Sequence, residues 1–264
     1  MSTQTSAVPA VKFGSAVPLA RLTRVELRKM TDTRAGLWLF IAIGVLTAAA
    51  IVLFAFFAPP EDLTYPNFAG VALTPQGFLL PILGILLITS EWGQRTGLVT
   101  FALEPNRGRV VRAKVIAAVL VALAAVALLL VVAAVGNLAG AQFQDGPGDW
   151  QLYRGRGLSY TLILQLSGII QGLAFGMLLM NSAAAIVSYF AVPIGFSITF
   201  NMVSALQDVA PWLDLGTAQQ PLFEFDQALS GRQWAQLAVT TAIWIGLPLA
   251  LGYRRLERAE IKSA

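Results

Sequence analysis

The longest apolar stretch of the chain runs for 46 residues, from Leu158 to Val203, without a single Asp, Glu, Lys or Arg. As one α-helix it would be about 69 Å long at 1.5 Å per residue, whereas the hydrocarbon core of a bilayer is about 30 Å thick. The stretch therefore predicts two antiparallel membrane-spanning helices that turn near Asn181-Ser182.

Four further apolar stretches predict four more spans, although Pro75, Gln76 and Pro81 interrupt the second of the six. Only 12% of the residues are charged, against about 25% in a soluble domain, so an apolar soluble helical protein would lack the charge to coat its surface. We therefore predict an all-α membrane protein with six transmembrane helices, at roughly 36–58, 68–89, 115–139, 158–180, 183–203 and 233–252.

The basic residues are distributed unevenly between the predicted loops. If all six stretches span, the N-terminal segment, the 90–114 loop and the tail at 253–264 share one side with 15 of the 18 basic residues. That side has a net charge of +9 and the other of −5. Because loops rich in Lys and Arg stay inside the cell, we expect a multi-pass plasma-membrane protein with both termini cytoplasmic. This orientation signal accounts for the net positive charge of the chain, so we expect no nucleic-acid partner.

The amino-acid composition excludes most kinds of catalytic and metal-binding site. The chain has no Cys and no His, which excludes disulfides, thiolate and imidazole metal sites, and Ser-His-Asp catalysis. No Asp lies in a predicted span, which argues against an intramembrane aspartyl protease, and no G-x-x-x-x-G-K-[ST] sequence is present to bind ATP. We expect no catalytic residue, metal site or cofactor in this chain. Charge-free spans favour an energy source outside the chain, or a passive role.

Three segments outside the spans have patterns of their own. Residues 1–17 predict a disordered tail without the features of a signal peptide. The 204–232 loop, apolar in places, predicts short helices that dip into the outer interface. Residues 18–35 predict an interfacial amphipathic helix with its arginines toward lipid headgroups. Its apolar arc comprises Leu19, Leu22, Val25, Leu27 and Met30, opposite Arg21, Arg24 and Arg28.

The 90–114 loop is long and rich in charge. It predicts a surface helix from Glu91 to Leu103 with Leu98 and Phe101 at helical spacing, then a turn at Pro105-Asn106. An amphipathic helix of this kind is suited to docking in a groove of a partner protein. The alternative is a solvated basic loop held to lipid headgroups.

Polar and small residues also occur within the spans. Gln165, Gln171 and Asn201 predict either hydrogen bonds between helices or contacts along a substrate pathway. Glycines at every fourth position of the fourth span favour close helix packing within the bundle: Gly168, Gly172 and Gly176.

The 90–114 loop contains Glu-Trp, then Thr five residues after the Glu, then Pro, Arg and Lys before the next span. These residues are Glu91-Trp92, Thr96, Pro105, Arg109 and Lys114. With them, with VELRKMTDTR ahead of the first span, and with Trp234 and the ending GYRRLERAEIK, the chain resembles the membrane subunits of type-2 ATP-binding-cassette exporters.

The resemblance implies a specific arrangement. Residues 18–35 would be an elbow helix, the 90–114 loop a coupling helix, and the 204–232 loop an extracellular re-entrant element. A separate cytoplasmic ATPase would bind ATP and Mg, and two permease chains, identical or related, would form the pathway. Gly93 and Gly97 would weaken this coupling helix when it is isolated, so docking on the partner would have to stabilise it. The implied ATPase contacts are Glu91, Arg95, Thr96, Leu98, Phe101, Pro105, Arg107 and Arg109.

The expected function is that of a bacterial exporter permease for a hydrophobic or amphipathic substrate, such as a drug, an antimicrobial peptide or a lipid-linked molecule. Two alternatives stay open from the residues: a membrane binding or immunity protein without ATP-driven transport, and a passive channel.

Overall fold

The computed structural model describes residues 17–93, 97–151 and 155–258, and every regular element in those ranges is a helix. Six helical segments there are long and apolar enough to cross a membrane, which confirms the predicted all-α, six-span architecture. The helices are α1 (Leu19–Asp32), α2 (Arg34–Phe57), α3 (Tyr65–Gly93), α4 (Gly97–Leu103), α5 (Arg107–Phe143), α6 (Arg156–Leu179), α7 (Ser182–Met202), α8 (Ala210–Leu213), α9 (Leu215–Gln219), α10 (Gly231–Thr241) and α11 (Leu247–Arg258).

The long apolar stretch divides into α6 and α7, as its length predicts. Met180, which follows α6, has a left-handed φ of 53°, and the side chain of Asn181 accepts a hydrogen bond from the backbone N–H of Ala184 at 2.9 Å. The turn reverses the chain because one residue ends the first helix and the next caps the second.

The interrupted second span is the central helix of the bundle. Pro75 and Pro81 lie inside α3, and Gln76 is fully buried there. Its side-chain oxygen accepts a hydrogen bond from Gln165 of α6 at 2.5 Å. Gln76, one of the residues that weaken the hydropathy of this span, therefore joins it to α6.

The close approach of α3 to α6 requires glycine. A Cβ added to Gly172 would lie 2.1 Å from the carbonyl oxygen of Pro81, and one added to Gly84 would lie 2.2 Å from that of Ile169. Gly176 lies against Ile85 in the same way, at 3.0 Å. Small residues on both helices allow the backbones to approach closely within the membrane.

Two helices extend beyond the predicted bounds. The helix that contains the third span begins at Arg107, ahead of the predicted span, because the side chain of Asn106 caps it by accepting the N–H of Arg109 at 3.2 Å. The last span continues from α10 through a π-helical turn at Ala242–Gly246 into α11. The indole N–H of Trp244, in that turn, donates to the carbonyl of Leu213 in α8 at 2.7 Å.

The contacts divide the bundle into two ends. At one end α1, α4, the start of α5 and the end of α11 lie together; Arg255, for example, donates to the carbonyl of Leu178 at the end of α6. We call this the basic end. At the other, the hydroxyl of Tyr160 donates to Gln227 and accepts from the N–H of Leu229, which joins α6 to the loop before α10.

Candidate functional site

Four charged side chains from three helices meet at the basic end: Glu26 and Lys29 of α1, Glu91 of α3 and Lys114 of α5. The Nζ atom of Lys29 lies 2.7 Å from Glu26 and 2.8 Å from Glu91. The Nζ atom of Lys114 lies 2.5 Å from Glu26 and 3.3 Å from Glu91. We call these four residues the charge cluster, and it has no net charge.

The charge cluster is largely shielded from solvent. Glu26 and Glu91 are each 4% exposed and Lys114 is 2% exposed. Lys114 also donates to the carbonyl of Leu87 at 2.8 Å, so its ammonium group has three oxygen partners. Because an unpaired buried charge is strongly destabilising, the cluster fixes the relative positions of α1, α3 and α5.

Helix α1 contributes two charges because one of its faces is turned toward the bundle. Thr23, Glu26 and Met30 are buried on that face, while the predicted lipid-facing arginines are exposed. Val25, which the sequence placed on the apolar arc, is 45% exposed. Glu26 was missed, although it lies one turn from both Leu22 and Met30 on the apolar side of the helix, a position where a charge signals a buried partner.

The pKa of Lys29 reflects two opposing effects. Burial, the largest, would lower it, but the carboxylates of Glu91 and Glu26 together favour the charged form, so the pKa lies above its usual value of 10.5. Lys29 therefore stays protonated throughout the physiological range.

The short helix α4 is joined to the charge cluster by Thr100. The hydroxyl of Thr100 donates to the same Glu91 oxygen that Lys29 binds, at 3.1 Å, and it lies 3.4 Å from the Nζ atom of Lys29. Val99 and Leu103, which flank Thr100 on α4, are 62% and 75% exposed. Helix α4 is thus anchored in the bundle through Thr100 and leaves apolar side chains exposed beside that contact.

The structure places the predicted ATPase contacts in different environments. Glu91 belongs to the membrane helix α3 and is buried in the charge cluster, whereas α4 is described from Gly97 onward. Pro105 is exposed in the turn before α5. Arg95 and Thr96 lie outside the described residues, as do the side chains of Leu98 and Phe101.

The two arginines after the turn bind this chain itself. Arg107 donates to the backbone carbonyls of Leu256 and Glu257, at the end of α11. Arg109 forms an ion pair with Glu104 at 3.2 Å and donates to the carbonyl of Val17. Both arginines therefore hold the segments around α4 together at the basic end.

The residues predicted for a substrate pathway lie elsewhere. Gln165 and Gln171 are buried within the bundle, and Gln165 is bound to Gln76. The side chain of Asn201 is outside the described part of the chain. Gly168 and Gly172 face Pro81 and Gly176 faces Ile85, so the glycine series lies along the contact between α6 and α3.

Among the described residues, no group of three or more Asp and Glu side chains is arranged to hold a metal ion. No model of a known protein family matches the chain, and no curated protein sequence is significantly similar to it.

Proposed function

We propose that this chain is the permease subunit of a bacterial ATP-driven exporter of the type-2 ATP-binding-cassette class. In this proposal the basic end faces the cytoplasm, α1 is the elbow helix, α4 is the coupling helix and the 204–232 loop is the extracellular re-entrant element. Two such chains, or one with a related chain, form the pathway, and a separate ATPase binds ATP and Mg. The substrate is a hydrophobic or amphipathic molecule.

The observation that carries the proposal is the connection between α4 and the charge cluster. Within the described part of α4, Gly97–Leu103, Thr100 donates a hydrogen bond to Glu91 and so anchors the helix in the bundle. Val99 and Leu103 lie beside that contact and remain exposed. This is the arrangement expected of a surface element whose movement is passed inward to the bundle.

Movement of α4 would act on three helices at once. Thr100 binds Glu91 at the end of α3, Glu91 binds Lys29 of α1, and Lys114 joins the same carboxylates to α5. Ion pairs in a low-dielectric environment resist separation, so α1, α3 and α5 would move together with α4. A passive channel or a binding protein has no need for a linked surface helix of this kind.

The test is the pair of predicted apolar ATPase contacts, Leu98 and Phe101. We expect Leu98→Asp and Phe101→Asp to leave the protein inserted and folded, because the hydrogen bond from Thr100 to Glu91 that anchors α4 is unaltered. They should prevent co-purification of the ATPase or abolish substrate-stimulated ATP hydrolysis in liposomes. Burial of one such side chain contributes about 1.5–3 kcal/mol, so its loss should weaken binding at least tenfold.

The control is Val131→Thr. Val131 is exposed, but it lies on α5 away from the basic end. It should leave ATPase binding unchanged. If the α4 variants retain both ATPase binding and coupled hydrolysis, α4 is not the coupling helix. If no ATPase co-purifies with the unaltered chain and ions cross liposomes containing it, the passive channel is the better assignment.

A further inference from the structure

A cleft of about 410 Å³ separates α1 from α4 and the first turns of α5 at the basic end. Its walls are mainly apolar: Leu22 and Val25 of α1 face Val99 and Leu103 of α4, with Val110 of α5 between them. Val25, Val99 and Leu103 are all more than 40% exposed. The cleft therefore offers a continuous apolar surface with no apolar neighbour among the described residues to cover its outer side.

The α1 side of the cleft also carries a cation without a partner among the described residues. The side chain of Arg21 lines the cleft and forms no hydrogen bond or ion pair with any other described residue. The second basic residue of the cleft, Lys29, is already paired with Glu26 and Glu91. Arg21 is thus the group at this site that is available to bind an anion.

From these two features we propose that the cleft binds a single anionic phospholipid. The phosphate pairs with Arg21, and an acyl chain lies between Val25 of α1 and Val99 and Leu103 of α4. An apolar cleft beside an unpaired arginine on an amphipathic helix matches a ligand that is both anionic and apolar. A water-soluble anion would leave the apolar walls uncovered, and a zwitterionic phospholipid would bring a cation of its own that competes with Arg21 for the phosphate.

The position of the cleft gives the bound lipid an effect on α4. Glu26, Lys29 and Thr100 line the cleft and belong to, or contact, the charge cluster. An acyl chain between α1 and α4 would bury apolar surface on both, and so would favour the position of α4 in which Thr100 remains bound to Glu91. This inference does not depend on transport, because it concerns only the lipid and helices α1, α3, α4 and α5 of this chain.

The experiment measures lipid binding to the full chain purified in detergent. Native mass spectrometry with added phosphatidylglycerol should show one tightly bound lipid, and phosphatidylcholine should bind several-fold more weakly. Arg21→Gln should weaken phosphatidylglycerol binding about fivefold, the equivalent of about 1 kcal/mol for one arginine. Arg24→Gln is the matched control, because Arg24 is exposed on the same helix but does not line the cleft.

The acyl chain is tested separately. Val25→Trp places a large side chain in the cleft from a position that is already exposed, and it should abolish the single tight binding event without altering thermal stability. Glycerol phosphate, which has the headgroup chemistry but no chain, should not compete with the lipid. Leu103→Ala removes apolar surface from the α4 wall of the cleft. It should weaken lipid binding, but less than Val25→Trp does.

Three results would overturn the proposal. Equal loss of binding in Arg24→Gln and Arg21→Gln would show a general surface attraction. Competition by glycerol phosphate would show an anion site without a chain. Unchanged lipid binding in Val25→Trp, with loss of a co-purifying ATPase, would show that the cleft holds a protein segment instead.

Discussion

Lys114 and Glu26 are 88 residues apart in the chain, yet the ammonium of one lies 2.5 Å from a carboxylate oxygen of the other, with both side chains buried. The pair joins α1 to the first turns of α5. Neither residue has solvent to stabilise it if the other is removed, so the two helices are held in a fixed relation at the basic end.

Removal of the Lys114 charge should therefore destabilise the folded protein. Lys114→Met leaves Glu26 and Glu91 buried with Lys29 as their shared cation, and we expect a loss of about 3–5 kcal/mol in the free energy of unfolding. Thermal or denaturant unfolding in detergent measures it. In the double variant Glu26→Gln/Lys114→Met the cluster is neutral again, so part of the loss should be recovered. Simple additivity of the two changes would contradict this account.

A control for Lys114→Met is the exposed ion pair of Arg28 with Asp32 on α1, the helix that also carries Glu26. The two side chains lie 3.1 Å apart, but their exposed fractions are 81% and 62%. Exposed pairs contribute about 0–1 kcal/mol, so Arg28→Gln should change the unfolding free energy far less than Lys114→Met does. Equal effects would show that burial of the cluster is not what makes it important.

The raised pKa of Lys29 leads to a prediction about pH. A group whose pKa is raised by folding stabilises the folded state fully below its unfolded pKa and loses that contribution as the pH rises through the folded pKa. The stability difference between the unaltered chain and Lys29→Gln should therefore be constant from about pH 6 to about pH 9. It should decline only above about 10.5, the usual pKa of lysine. A difference that falls within the neutral range would contradict the pairing.

Hydropathy was sufficient to predict the six spans, because a bilayer requires about 20 apolar residues per helix whatever their neighbours are. The charge cluster could not be predicted in the same way. Glu26 and Lys114 are close only because α1 folds back against α5, and their separation in the chain gives no sign of it. The resemblance marked Glu91 and Lys114 as notable, but it assigned Glu91 to the partner surface.

The extent of α4 shows a second limit of sequence reasoning. Residues from Glu91 to Leu103 have a helical pattern, so one surface helix was predicted. In the structure Glu91 lies in α3, which is described to Gly93, because Lys29 and Lys114 bind it within the bundle, and α4 is described from Gly97. A tertiary contact thus buries the first residue of the predicted surface helix.

The contact between α3 and α6 should be sensitive to one methyl group. Gly172→Ala places a Cβ 2.1 Å from the carbonyl oxygen of Pro81, so the helices must separate, and we expect a loss of about 1–3 kcal/mol. Gly77→Ala on α3 is the matched control, because a Cβ there meets nothing within 4 Å. It should leave the stability unchanged or raise it by up to about 1 kcal/mol. Thermal unfolding in detergent compares the two.

The proposed orientation can be tested by labelling, since the chain contains no cysteine. Ala102 of α4 is exposed at the basic end, whereas Gln142 near the end of α5 and Gly216 of α9 are exposed at the opposite end. A membrane-impermeant thiol reagent applied to intact cells should react with Gln142→Cys and Gly216→Cys but with Ala102→Cys only after the cells are opened. Labelling of Ala102→Cys in intact cells would reverse the orientation.

Thr100 should separate binding of the ATPase from coupling. Thr100→Val keeps the size of the side chain but removes the hydrogen bond to Glu91, which is worth about 1.5–3 kcal/mol because its acceptor is charged. The predicted ATPase contacts Leu98 and Phe101 are unchanged. The ATPase should therefore still co-purify, while substrate transport per ATP hydrolysed falls several-fold in liposomes. Thr100→Ser, which retains the hydroxyl, should restore coupling. If Thr100→Val transports normally, movement of α4 does not reach α3 through Glu91; if it loses the ATPase as well, Thr100 acts by shaping α4 and not by transmitting its movement.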